Sequence, residues 1–125
     1  MIVLYADDDV EDVEIFNEVV NMINPSIQLI HASNGEKALK ILEDAALLPD
    51  YIFIDINMPG MNGKSCLAQI KSDKRFFGVP TIIYTTSGDI SEVETLMSLG
   101  AVNYIIKPHT LKEAVDGLTQ VLASR

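Results

Sequence analysis

Five times in succession this chain pairs a short apolar run with an amphipathic stretch, and that alternation limits the folds open to it. Ile2–Ala6, Ile27–Ala32, Tyr51–Ile56, Thr81–Thr85 and Tyr104–Ile106 read as strands. After the first strand, Asp9–Asn24 carries Val13, Phe16, Val20 and Ile23 at helical spacing, and Asn24-Pro25 stops it. Ala38, Leu39, Leu42 and Ala45 mark a second helix, and Leu67 and Ile70 face inward from a third. Val93, Leu96 and Met97 stripe a fourth helix, closed by Gly100. Thr110 caps a fifth, which carries Leu111, Ala114, Leu118 and Val121. Near-continuous apolar strands are buried on both faces, which requires a parallel sheet. Right-handed crossovers then make an α/β fold, a (βα)5 three-layer sandwich.

A length of 125 residues suits one domain, and 48% hydrophobic residues suffice for one core. No Pro/Gly/Ser-rich linker or repeat interrupts the chain, so residues 1–125 are expected to form a single domain with no output domain attached. One cysteine, Cys66, allows no internal disulfide and fits a reducing compartment, so a cytoplasmic location is expected. The apolar start at Met1–Ala6 lacks a basic flank, and no apolar run approaches the ~20 residues of a membrane span. The net charge of −9 and the lack of a basic stripe argue against nucleic-acid binding. They favour cations or basic protein surfaces as partners.

In open parallel sheets ligands bind beyond the carboxyl ends of the strands. The residues there are Asp7, Asp8 and Asp9 after the first strand, Asp55 at the end of the third, Thr85, Thr86 and Ser87 at the fourth, and Lys107-Pro108 after the fifth. Taken alone, Asp7-Asp8-Asp9 reads equally well as a helix N-cap. Together with Asp55 it places several carboxylates at one edge, where two unit charges about 4 Å apart cost roughly 4 kcal/mol at an effective dielectric near 20. A divalent cation would relieve that repulsion, and an oxygen-only donor set selects Mg²⁺ or Mn²⁺ over zinc. A carboxylate beside such a cation can attack phosphorus, with Lys107 and the Thr85 hydroxyl available to the phosphoryl oxygens.

These residues resemble the receiver domain of two-component response regulators, of the single-domain chemotaxis type. The likeness covers essentially the whole chain: Asp7-Asp8, then Asp55-Ile56-Asn57-Met58-Pro59-Gly60-Met61-Asn62-Gly63, then Thr85, then Lys107-Pro108. It implies a flavodoxin-like sheet of order 2-1-3-4-5. It implies Asp55 as phosphoacceptor, fed by a sensor histidine kinase or a histidine phosphotransfer protein. Asp8 and Asp55 would ligate Mg²⁺ directly, Asp7 largely through water, and Asn57 through its backbone carbonyl. Thr85 and Lys107 would contact the phosphoryl group, and Tyr104 would be the aromatic switch that follows Thr85. Lys107-Pro108 would be a cis peptide. The surface of the fourth helix, fifth strand and fifth helix would then engage a downstream protein, or the phosphoryl group would be relayed onward. Such a domain is a signalling switch, not an enzyme acting on external substrates, and is a monomer or a phosphorylation-dependent dimer. His109 stands where the family commonly has an aromatic residue. Asn57 and Ser87 occupy positions that modulate dephosphorylation in the family.

The competing functions are weaker. An aspartyl-nucleophile phosphohydrolase would place an acid two residues after Asp55, where this chain has Asn57. A flavin carrier needs a glycine- and hydroxyl-rich loop after the first strand, where Asp7-Asp8-Asp9 would repel phosphate. An unphosphorylated adaptor retaining only the fold is the remaining alternative. His31 is expected to lie on the second strand away from the acidic edge, and Cys66 to be a core thiol. Lys71, Lys74 and Arg75 are read as complementing a helix end.

Overall fold

A computed structural model describes residues 1–86 and 88–123. Ten elements follow one another: β1 Ile2–Ala6, α1 Val10–Ile23, β2 Gln28–Ala32, α2 Gly35–Asp44, β3 Tyr51–Ile54, α3 Gly63–Ser72, β4 Thr81–Thr85, α4 Ile90–Ser98, β5 Asn103–Ile106 and α5 Leu111–Leu122. The strands form one parallel sheet in the order β2-β1-β3-β4-β5. This is the flavodoxin-like sandwich the sequence implied.

Side chains alternate across the pleat, so each strand feeds two cores. Leu4, Ile52, Ile54 and Ile83 face one way and pack with Ala38 and Leu42 of α2, Cys66, Leu67 and Ile70 of α3, and Leu96 of α4. Val3, Tyr5, Phe53, Ile82 and Tyr84 face the other way, against Phe16, Val19 and Val20 of α1 and Ala114, Leu118 and Leu122 of α5. On that second face Tyr5, Phe16, Phe53 and Tyr84 make a ring cluster, with Phe16 at its centre, 4.3 Å from Tyr5 and 5.1 Å from Phe53 by centroid.

Helix starts are set by side-chain caps. Asp9 caps α1, Asn34 α2, Asn62 α3, Asp89 α4 and Thr110 α5, each accepting backbone N–H groups that lack an intrahelical partner. Two expectations shift. The third strand ends at Ile54, because the Ile56 carbonyl turns inward to accept the Gly63 amide at 2.8 Å. Met97 is exposed, and Leu96 alone of the α4 stripe is fully buried. No helix among the described residues is long and apolar enough to cross a membrane.

Candidate functional site

Three hydrogen bonds just past the strands extend the ladder and aim the site. The Asp7 amide donates to the Ala32 carbonyl at 3.0 Å, the Asp55 amide to Ala6 at 3.0 Å, and the Lys107 amide to Thr85 at 2.7 Å. Strand parity then decides where side chains fall. Asp7, Asp55 and Lys107 follow Tyr5, Phe53 and Ile105 by two and share their register on the α1/α5 side. Thr85 follows Ile83 and shares the register of Tyr104, on the side of α4.

The carboxylates of Asp7, Asp8 and Asp55 bring one oxygen each within 4.8 Å of one another. Asp7 is fully buried, Asp55 nearly so, and Asp8 is exposed. The run Asp7-Asp8-Asp9 divides its labour: Asp9 alone caps α1, accepting the Glu11 and Asp12 amides. The capping explanation is thereby used up by Asp9.

Lys107 is the cation of the site. Its Nζ donates to Asp12 Oδ2 at 2.7 Å, to Asp7 Oδ2 at 2.8 Å and to Asp55 Oδ2 at 3.3 Å. Burial alone would lower its pKa. The bonds to Asp12 and Asp7 and the charge of Asp55 outweigh that and hold it above the ordinary lysine value. Asp55 is pushed above the usual carboxylate range, chiefly by burial and further by Asp7, against the pull of the Thr85 hydroxyl and Lys107. Thr85 Oγ1 is buried beside Asp55 without a well-aligned hydrogen-bond partner, a donor waiting for an acceptor.

Asp7 is held by three donors. Tyr5 Oη and Lys107 Nζ both reach Oδ2, and the Asp9 amide donates to Oδ1 at 2.9 Å. Burial and the neighbouring Asp7 charge raise the Tyr5 phenol far above its usual value, so it remains a donor. With its oxygens engaged, Asp7 is better suited to reach a cation through water than directly. Four carboxylates (Asp7, Asp8, Asp12 and Asp55) face one ammonium. That excess of hard oxygen donors, one of them exposed, fits a divalent cation such as Mg²⁺.

The loop after β3 is shaped by glycine. A Cβ on Gly63 would stand 2.4 Å from the Asp55 carbonyl oxygen and 2.7 Å from the Ile56 Cα, so only glycine lets α3 start against the backbone of Asp55. Gly60 adopts φ +73°. Glu36 of α2 pins the loop by accepting the Met61 amide at 3.0 Å. Asn57 lies exposed in this loop, two residues after Asp55.

Three contacts at the site went unforeseen. Tyr5 was readable, since i and i+2 on a strand share a face. Asp12 lies in the first turn of α1, and its reach to Lys107 depends on how α1 packs beside α5, next to the residues that follow β5. The third is a correction: His31 was expected away from the acidic edge, but its Nε2 sits 2.7 Å from the Asp7 carbonyl oxygen. Parallel register pairs His31 with Tyr5, which carries the end of β2 to the site. The Lys107-Pro108 peptide is also corrected. It is trans, the isomer favoured even before proline, and Lys107 reaches all three carboxylates from it. Of the basic run at the end of α3, Lys71 stands in the last turn of the helix, as expected, and the run also makes specific bonds. Lys71 Nζ donates to the carbonyls of Phe77 and Val79, and Arg75 pairs with Asp73. His109 is exposed beside Lys107 and Pro108, and Ser87 lies outside the described residues.

Residues 3–119 match the family described as the response regulator receiver domain. This chain belongs to that family. It is 36% identical over 96 residues to the chemotaxis protein CheY1 of Helicobacter pylori, an alignment covering 77% of each chain. It is 32% identical over 120 residues to the probable transcriptional regulator ycf27 of Guillardia theta, covering 96% of this chain but 44% of that longer protein. Among solved structures, the phosphorylated cyanobacterial phytochrome response regulator RcpA superposes with a TM-score of 0.88 at 22% identity, over 96% of this chain and 89% of that one. At that identity the structural likeness speaks for the fold. The receiver domain is thus a module of two-component signalling, and its acidic pocket has the donor set for a metal.

Proposed function

We propose that this receiver domain takes a phosphoryl group on Asp55, with Mg²⁺ (or Mn²⁺) held by Asp8 and Asp55 directly, by Asp7 through water and by the Asn57 carbonyl. The observation that carries the reading is the surroundings of Asp55: an ammonium at 3.3 Å and a buried Thr85 hydroxyl without a well-aligned hydrogen bond, both beside a desolvated carboxylate. When bound, the cation would supply charge neutralisation for the phosphoryl oxygens. An Asp55 oxygen forms a bond to phosphorus as the P–N bond of a donor phosphohistidine breaks, its electron pair remaining on the donor imidazole. The donor is a sensor histidine kinase or a histidine phosphotransfer protein. Lys107 and Thr85 hold the transferred group, and the phosphoryl oxygens offer Thr85 Oγ1 a well-aligned acceptor.

The phosphoryl group adds roughly −1.5 to −2 charge at Asp55. Thr85 moving toward it would vacate space on the α4 side of the sheet, where the half-buried Tyr104 packs against the same core. Tyr104 would follow and alter the neighbouring surface. Exposed Ile90, Met97, Ile106 and Leu111 on α4, β5 and α5 support an output surface there for a downstream protein, with onward relay of the phosphoryl group as the other route. The domain catalyses no turnover beyond its own phosphorylation and dephosphorylation, and it acts in the cytoplasm, a reading its free, buried Cys66 supports.

The test is intact-protein mass after incubation with acetyl phosphate, with and without Mg²⁺, for wild type and Asp55→Asn. A phosphate-sized gain that requires both Mg²⁺ and Asp55 is expected. No gain in folded wild-type protein would reject the reading in favour of an unphosphorylated adaptor.

A further inference from the structure

We infer that Asp12 is a positioning residue that competes with the phosphoryl group for Lys107, and so sets how readily Asp55 carries that group. The inference rests on the phosphoryl reading above. It begins with the three protons of the Lys107 ammonium, all already directed at carboxylates. The two short bonds go to Asp12 at 2.7 Å and Asp7 at 2.8 Å, and the longest, at 3.3 Å, goes to Asp55. In this state Lys107 is therefore drawn toward α1 rather than toward the residue it would serve.

A phosphoryl group on Asp55 brings three new acceptor oxygens; one can take over the proton now shared with Asp55, and any closer engagement of the ammonium requires Lys107 to give up Asp7 or Asp12. Asp7 cannot be released cheaply: its side chain is fully buried, and the oxygen that meets Lys107 is the one that also accepts the Tyr5 hydroxyl. The Asp12 side chain is 33% exposed and opens on a cleft lined by Ile15, Lys107, Pro108 and His109. Water can replace the ammonium there at little cost. Asp12 is the partner that lets go. Its backbone amide is bound by the Asp9 cap, so releasing the side chain leaves the start of α1 in place.

Asp12 acts in two ways against the phosphorylated state. It holds the ammonium away from Asp55, and its charge stands near the added negative charge. Removing that charge therefore favours the phosphoryl-bearing state, whereas a purely structural salt bridge would leave it unchanged or weaken it.

Two measurements on the full chain test this in wild type, Asp12→Asn and Asp12→Ala. The first is reductive methylation of Lys107 in metal-free protein, mapped by mass spectrometry, which needs neither cation nor phosphoryl group. Labelling of Lys107 should rise several-fold in both variants while Lys40 labelling stays constant. The second is the affinity for beryllofluoride, a phosphoryl mimic, in the presence of Mg²⁺. It should tighten by about two- to five-fold, the range expected for a partly exposed ion pair. Unchanged Lys107 labelling would overturn the tether, and unchanged or weaker beryllofluoride binding would overturn the competition. Wild type that binds no beryllofluoride would bring down the phosphoryl reading and this inference together. Wild-type binding with no gain in the variants would bring down the inference alone.

Discussion

Substituting Asp8→Asn should make the metal-free protein more stable and the Mg²⁺-loaded protein relatively less so. The carboxylate oxygens of Asp7, Asp8 and Asp55 lie within 4.8 Å of one another. At that separation one pair of unit charges repels by about 3.5 kcal/mol at an effective dielectric of 20 and by about 0.9 kcal/mol in water. Asp8 is exposed, so its share lies toward the lower figure. It repels two carboxylates, while the Lys107 ammonium offsets one of them. Losing a negative charge just ahead of α1 forfeits a further ~0.3–1 kcal/mol of helix-dipole interaction. The side chain caps nothing, since Asp9 does that. The balance is a gain of about 1 kcal/mol in EDTA, a rise of about 3–5 °C in Tm for a domain of this size. Mg²⁺ should stabilise wild type by about 2.7 kcal/mol at a hundredfold excess over its Kd, and the variant far less. Urea titrations with EDTA and with Mg²⁺ would show the two proteins exchanging order. A variant less stable than wild type in EDTA, or one that gains as much from Mg²⁺, would refute the assignment of Asp8 as a ligand.

Gly63→Ala should cost about 2–4 kcal/mol in a urea titration, because its Cβ would meet backbone of Asp55 and Ile56 that cannot move without displacing the site. Gly117→Ala, inside α5 with nothing within 4 Å of the new Cβ, should stabilise by about 0.5–1 kcal/mol in the same assay. Tyr5→Phe removes one of three donors to the buried Asp7 carboxylate and should cost about 1–3 kcal/mol in EDTA, with the ring packing unchanged. Burial, aided by the Glu36 charge, pushes the Cys66 thiol up to about 12. Between the ordinary value of 9.0 and about 12 the unfolded chain loses this proton while the folded one keeps it, so stability falls with rising pH across that window. Cys66→Ala should flatten that fall in alkaline denaturation curves.

The parallel sheet was legible because five apolar runs separated by helical stretches admit few arrangements, and its order followed from the resemblance to the receiver family carried by the motif residues. The acidic edge was legible for the same reason: Asp7, Asp55, Thr85 and Lys107 each sit at or just past a strand's carboxyl end, where parallel pairing aligns them. What sequence could not supply is contact between segments far apart in the chain. His31 reaches the Asp7 carbonyl through the β1–β2 register, and Asp12 reaches Lys107 through the packing of α1 beside α5. Neither spacing, 24 residues in one case and 95 in the other, leaves a local pattern to read.

The same geometry separates acids that look alike in sequence. Asp9 spends its charge on the start of α1, and Asp7 is enclosed by donors. Asp12 takes the shortest bond to Lys107, and Asp8 is left facing solvent. A site with uniform carboxylates would bind a cation but would have no reason to hold one lysine among three of them. With Lys107 already seated among Asp7, Asp12 and Asp55, its engagement of a phosphoryl group would be an exchange of partners rather than the creation of a buried charge. On the phosphoryl reading proposed above, an exchange of that kind would have a small net cost, the condition under which a modification of one carboxylate can shift a two-state equilibrium.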